Sequence, residues 1–179
     1  MISLSAVFYL IVIMFAMIGA MRGWAKEIIV TLSAVLALFI LAVLERYVPQ
    51  AKQFFDIKNG VTYFWFHTAI ILVLVFFGYQ TPNIPKFSTT KFAREKLSDM
   101  LLGVVLGALN GFIIAGSIWY FLDQVHYPFG KFMIPPRTDL PGFDSFKSLL
   151  PLLVPRWLGI PMIFFVVILF TIFVLVVII

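Results

Sequence analysis

Stretches without formal charge recur along this chain, and each approaches the roughly 20 apolar residues that a helix needs to cross a bilayer. The five stretches cover residues 1–21, 28–44, 59–85, 100–122 and 157–179, and the helical part of the third is expected at 61–79. The first has no Lys or Arg before Arg22, so it lacks the basic start of a signal peptide and is predicted to be a retained helix. The pattern predicts about five transmembrane helices.

The long connection at 124–156 has a different pattern. It is rich in proline, which argues against a further spanning helix. Its apolar side chains at spacings of three and four are Phe143, Phe146, Leu149, Leu150 and Leu153. This spacing predicts a short amphipathic helix in the membrane interface with one face in lipid, which Pro151 bends or ends. The alternative is a loop packed on the helix bundle.

These elements together predict an all-α integral membrane protein. Its expected parts are a four-helix core at 1–123, a loop with an interfacial amphipathic helix at 124–156, and a fifth transmembrane helix at 157–179. Composition agrees, because 63% of the residues are hydrophobic and 12% are charged, about half the charged share of a soluble domain.

The net charge and the absence of cysteine exclude several classes of function. A net charge of +5 in a membrane protein indicates topology signals and contact with anionic lipid headgroups rather than a nucleic-acid partner. The basic residues are packed most densely in the first and third connections, which places those connections in the cytoplasm and the N-terminus outside. The absence of cysteine excludes disulfides, thiolate nucleophiles and Cys-ligated metal centres.

Small residues form a row in the fourth stretch. Gly103, Gly107, Gly111 and Ala115 are four residues apart, so they share one helix face. In lipid, a face without side chains lets another helix approach closely, and we expect such a contact here. Asn110 lies beside this row, and a carboxamide in hydrocarbon needs a partner. A neighbouring helix is the ordinary partner, and a pore or substrate is the alternative.

A mixed polar motif closes the first stretch. Arg22, Gly23, Trp24, Lys26 and Glu27 have the composition of a membrane-interface anchor, since Arg and Lys extend to headgroups and Trp prefers the same depth. Residues 22–27 are too few to form a free loop between two antiparallel helices, so they predict a tight reversal of the chain. Glu27 could pair with either basic residue.

The remaining titratable groups give no catalytic arrangement. Asp99 and Asp123 bracket the fourth stretch, and Asp99 is expected to cap the N-terminus of its helix. His67 is the only histidine in a predicted span, and it is a candidate ligand for a pigment or haem, with an interfacial hydrogen bond as the alternative. No metal-ligand spacing and no nucleophile–base pair appears, so we expect no enzyme and no bound cofactor. The many Phe side chains could contact lipid, pigment or quinone.

Two motifs resemble signatures of the colicin V production protein family. The first is MRGWAKE at 21–27, an Arg-Gly-aromatic-x-basic-Glu pattern at the end of a first span. The second is DMLLG at 99–103, where an Asp precedes Leu-Gly and the row continues through Gly107 and Gly111. The resemblance covers about residues 1–123. It implies a multi-pass protein of the bacterial inner membrane, linked to toxin export or envelope homeostasis.

The chain departs from that family pattern in two places. Met100 stands where the family usually has a basic residue, and Asn110 where it often has Arg. Three hypotheses follow for the function. The protein is a structural or accessory subunit beside other transmembrane subunits, a component of toxin, peptide or small-solute transport, or a subunit that contacts pigment or quinone.

Overall fold

The computed structural model of the chain describes residues 4–80, 93–129 and 143–178. Its helices are α1 Leu4–Arg22, α2 Trp24–Tyr47, α3 Lys52–Phe55, α4 Gly60–Tyr79, α5 Ala93–Gln124, α6 Phe143–Leu149, α7 Val154–Trp157 and α8 Met162–Ile178. Single 3-10 turns lie at Pro49–Ala51 and Leu150–Leu152. The described residues contain no strand, which confirms the all-α fold class.

Four of these helices, α1, α2, α4 and α5, are long and apolar enough to cross a membrane. The last predicted span differs from expectation. Trp157 belongs to the short helix α7, and α8 begins only at Met162 and has 17 residues. Gly159 and Pro161 separate the two helices, and neither favours a helix interior. The fifth apolar stretch is therefore helical over a shorter length than the four others.

A single residue joins α1 to α2. Gly23 has φ +82, a left-handed backbone conformation that residues with a Cβ rarely adopt. This conformation lets the chain reverse within one residue. The predicted tight reversal lies at this position.

Helix α5 lies between the two arms of this hairpin. Gly19 of α1 faces Gly103 and Gly107, whereas Phe8, near the other end of α1, packs on Trp119 with ring centroids 5.3 Å apart. Helix α1 is therefore antiparallel to α5 along most of its length.

The central core lies between α2, α4 and α5. Its most buried members include Val30, Ile71 and Ile114, one from each helix. Helix α8 joins from the side, where Phe164 meets Phe39 of α2 at 5.5 Å between ring centroids. Beyond these first turns α8 is exposed, and Leu169 has 71% of its surface accessible.

The segment predicted as an interfacial helix contains α6, a 3-10 turn and α7. A helix forms and ends before Pro151, as expected. However, Leu149 and Leu153 do not face lipid, because both are buried against Phe8 and Trp119 in the protein. This part of the prediction is corrected: helical spacing identifies an apolar face but cannot distinguish lipid from protein as the medium that covers it.

Candidate functional site: a buried polar cluster

Glu27 is completely buried, with 0% of its surface exposed. Helix α2 begins at Trp24, so Glu27 lies in its first turn rather than in a loop at the membrane surface. The uncharged stretch starts at residue 28, so the helix begins four residues before it and includes Glu27. A buried carboxylate is costly unless charged and hydrogen-bonding partners surround it, and three partners do so here.

The partners of Glu27 come from three different helices. Arg22, the last residue of α1, donates from Nη1 to Oε1 at 3.1 Å and forms an ion pair with it. Asn110 of α5 donates from Nδ2 to Oε2 at 2.8 Å. The Tyr79 hydroxyl, at the end of α4, lies 3.5 Å from Oε2 as a weaker donor. Glu27 therefore connects its own helix, α2, to α1, α4 and α5.

Arg22 also holds the end of α4. Its second nitrogen, Nη2, donates to the backbone oxygen of Tyr79 at 3.0 Å, and its guanidinium carbon lies 4.3 Å from the centroid of the Tyr79 ring. The last carbonyl groups of a helix have no partner within that helix. Arg22 therefore caps α4 from α1, and its planar, two-nitrogen geometry suits this double contact.

Asn110 has no exposed surface and uses both ends of its side chain. Its Nδ2 donates to the backbone oxygen of Glu27 at 3.0 Å in addition to the carboxylate, and its Oδ1 accepts from Oγ1 of Thr31 at 2.7 Å. The structure thus places Asn110 against α2. The departure from the family pattern at this position lies directly beside the Glu27 carboxylate, where the side chain is neutral.

Asp99 caps a helix, but not the helix that was predicted. Helix α5 begins at Ala93, so Asp99 lies in its second turn and cannot cap its start. Instead, Oδ1 of Asp99 accepts the backbone N–H of Trp24 at 3.2 Å, at the first residue of α2. The N-cap position of α2 is Gly23, which has no side chain to supply this bond. A carboxylate at a helix N-terminus also interacts favourably with the helix dipole.

The glycine row lies against α1. A Cβ added to Gly103 or Gly107 would overlap a backbone oxygen of α1, that of Gly19 or of Phe15. A Cβ on Gly111 would lie 3.0 Å from Cα of Val12. The close approach predicted from spacing therefore occurs with a helix of the same chain. The fourth member of the row, Ala115, is buried in the cluster that contains Phe8 and Trp119.

His67 lies away from this cluster, inside α4. It is 3% exposed, and its Nδ1 is 2.8 Å from the backbone oxygen of Tyr63. The Tyr63 ring stacks on it with centroids 3.9 Å apart, and Phe55 and Phe121 pack at 5.0 and 4.8 Å. Within the described residues, no three His, Asp or Glu side chains form a group suited to metal binding.

Sequence reasoning identified Arg22, Glu27, Asp99 and Asn110 separately but did not bring them together. It missed Tyr79, Thr31 and Gly19 altogether. Thr31 follows Glu27 by four residues on α2, which was a usable signal. The sequence around Gly19 and Tyr79 does not indicate their contacts, because these contacts depend on which helix ends lie together in the fold.

The polar side chains of the cluster have hydrogen-bond partners inside the chain. Both oxygens of Glu27, both terminal nitrogens of Arg22 and both ends of Asn110 have partners inside the chain. Among the described residues, the one buried side-chain polar atom without a partner is Oγ1 of Thr68. The arrangement joins the end of α1, the first turn of α2 and the end of α4 to the middle of α5, and it supplies no nucleophile with a base.

Comparison with known proteins gives one match. The family model described as Colicin V production protein matches residues 4–134, which include all four helices of the core and the whole polar cluster. Neither a curated protein nor a solved structure is detectably similar to the chain.

Proposed function

The chain belongs to the colicin V production protein family, and from this membership and the buried polar cluster we propose that it is a non-enzymatic accessory subunit of a larger membrane assembly. The observation that carries the proposal is that Glu27, Arg22 and Asn110 bond to one another and to Tyr79 and Thr31 of the same chain. These bonds hold α1, α2, α4 and α5 together, which is the role of a structural cluster.

The proposed location is the bacterial inner membrane, with the N-terminus outside and the Arg22–Glu27 end of the bundle in the cytoplasm. The dense basic residues near that end favour this orientation, because positive charge is retained on the cytoplasmic side. Other transmembrane subunits are the proposed partners. The glycine row does not argue for them, since α1 occupies it. The exposed apolar surface of α8 does: among the described residues its first turns pack on α2, through Phe164 and Phe39, whereas Leu169 is 71% exposed.

Native extraction tests this proposal. The full chain, carrying an affinity tag, is extracted from bacterial membranes in a mild detergent, and its mass is measured by light scattering. We expect a discrete complex larger than the monomer, which Leu169→Asn on α8 reduces in size. Met21→Asn provides the matched control, since Met21 is 88% exposed on α1 and lies outside the proposed contact. A uniform monomer in every mild detergent would refute the accessory role.

One observation favours a second candidate function, a component of toxin, peptide or small-solute transport. Glu27 is a carboxylate buried within membrane-spanning helices, and such residues mark transport pathways in many membrane proteins. In this case Glu27→Gln and Asn110→Leu should each abolish export or flux while the protein stays folded in the membrane. Glu45→Gln is the control, because Glu45 is exposed near the other end of α2. Unchanged flux in both cluster variants would remove the cluster from any transport mechanism.

A further inference from the structure

The segment between α6 and α8 has a second apolar surface, which faces outward. Its inner side chains pack on the bundle: Leu153 is 0% exposed and Leu158 is 4% exposed. On the outer side Leu152 is 59% exposed, Trp157 is 56% exposed and Ile160 is 42% exposed. We call these three residues the outer apolar surface. A water-facing connection would not need both sides to be apolar.

Two side-chain contacts show how far along the axis of the helix bundle this segment lies. Leu153 lies against Gly116 of α5, since a Cβ added to Gly116 would be 3.0 Å from its Cδ2. Gly116 is inside the uncharged stretch 100–122, about 12 Å along the axis before α5 ends. At the other end of the segment, Phe164 packs on Phe39, which is inside the uncharged stretch 28–44 of α2. The segment therefore lies beside the membrane-spanning parts of α2 and α5 and not beyond them.

Charge and aromatic content fit the same position. Lys147 and Arg156, which precede and follow Leu152 in the sequence, are both exposed. The indole N–H of Trp157 donates to the backbone oxygen of Leu152 at 3.2 Å, so its polar edge has a partner while most of its ring remains uncovered. Trp at the boundary between headgroups and acyl chains, with cations extended to the phosphates, is the usual arrangement at that depth.

From this geometry we propose that the outer apolar surface is a lipid-docking surface. Leu152, Trp157 and Ile160 lie in the upper acyl-chain region of one leaflet, and Lys147 and Arg156 bind the headgroups of anionic phospholipids. The leucines that the helical spacing assigned to lipid, Leu149 and Leu153, bind the bundle instead. The occupant is lipid because the segment lies beside the uncharged parts of α5 and α2, and because the exposed Lys147 and Arg156 supply the positive charge that anionic headgroups bind.

Quenching of a single fluorescent label tests the docking. The chain has no cysteine, so Leu152→Cys or Ile160→Cys gives one reactive position in the full-length protein. Each variant carries a bimane label in vesicles of phosphatidylcholine and phosphatidylglycerol at a high lipid-to-protein ratio. Lys58→Cys is the aqueous control, since Lys58 lies in an exposed turn.

We expect lipids brominated on the upper acyl chain to quench the labels at 152 and 160 about threefold more than the label at 58. Aqueous iodide should show the opposite order. The proposal is overturned if iodide reaches 152 and 160 as well as it reaches 58. It is also overturned if neither quencher reaches them, because a second copy or another part of the chain would then cover the surface.

The headgroup part of the proposal has its own measurement. Raising the fraction of phosphatidylglycerol should shift the emission of the label at 152 to shorter wavelength, and Lys147→Gln with Arg156→Gln should remove most of that shift. If the emission of the label at 152, with Lys147 and Arg156 intact, does not change with the fraction of phosphatidylglycerol, the proposed preference for anionic lipid is wrong. Neutral phosphatidylcholine vesicles separate this effect from simple acyl-chain contact.

Discussion

Arg22 and Glu27 form an ion pair at 3.1 Å across the single-residue break at Gly23, although they belong to different helices. The pair is asymmetric, because the carboxylate is fully buried whereas 19% of the Arg22 side chain is exposed. A buried pair of this kind is weak evidence for stability as a whole, but removal of one partner leaves the other uncompensated. The predictions for the cluster follow from that asymmetry.

Loss of the carboxylate should be more damaging than loss of both charges. Glu27→Ala leaves Arg22 near a low-dielectric interior without its counter-charge, and we expect it to lower the free energy of unfolding by about 3–5 kcal/mol. The double variant Arg22→Met with Glu27→Met should recover part of this loss. Thermal unfolding in detergent measures both. Glu45→Gln is the control in the same helix and should be nearly neutral; equal losses for Glu27→Ala and the double variant would contradict the ion-pair account.

Charge at position 110 should matter more than hydrogen bonding. Asn110→Leu removes two donor contacts to Glu27 and the acceptor of Thr31, with an expected cost of about 2–3 kcal/mol. Asn110→Asp places a second carboxylate beside Oε2 of Glu27, so we expect a larger loss of stability at neutral pH than with Leu. Unfolding temperature compared between the two variants is the measurement. A more stable Asp variant would mean that Asn110 does not face Glu27.

The glycine contact between α1 and α5 leaves no room for a methyl group. Gly107→Ala should destabilise the fold by about 1–3 kcal/mol, because the new Cβ overlaps the backbone of α1 at Phe15 and neither backbone can move freely. Gly159→Ala is the matched control, since a Cβ there has nothing within 4 Å. The difference in unfolding temperature between the two Ala variants reports the contact. Equal temperatures would show that α1 does not approach α5 along this row.

Asp99 should act on α2 rather than on its own helix. Asp99→Ala removes the acceptor for the Trp24 N–H, with an expected cost of about 1 kcal/mol. The clearest readout is amide hydrogen exchange, which should quicken in the first turn of α2 around Trp24 and not in the first turn of α5. Faster exchange confined to α5 would contradict the assignment. Gly23→Ala should be more severe, because it combines a positive φ with contact to the same carboxylate.

Much of the architecture could be predicted from the sequence, and the reasons for the limit are physical. The uncharged stretches defined α1, α2, α4 and α5 because each needs a minimum apolar length in hydrocarbon. The row at Gly103 and Gly107 predicted a close contact, but not that Gly19 supplies the other side. The position of a residue in an apolar helix does not reveal which other helix packs against it.

The same limit explains Glu27 and Asp99. A charge between two apolar stretches was assigned to the membrane surface, since an isolated charge belongs there. The burial of Glu27 depends on Asn110, 83 positions along the chain, whose amide makes that burial tolerable. Asp99 was assigned to the nearest helix start, whereas the packing of α5 against the hairpin brings it to another. The partners of Glu27 and the helix that Asp99 caps were not predicted because each stretch was treated separately.

The one-residue link at Gly23 also constrains how the protein is made. Because only Gly23 links α1 to α2, the depth of one helix in the bilayer fixes the depth of the other during translation. We therefore expect the two helices to enter the bilayer as a pair in which Arg22 and Glu27 are already adjacent. On that expectation, the place of α5 between them is set before α5 has been synthesised.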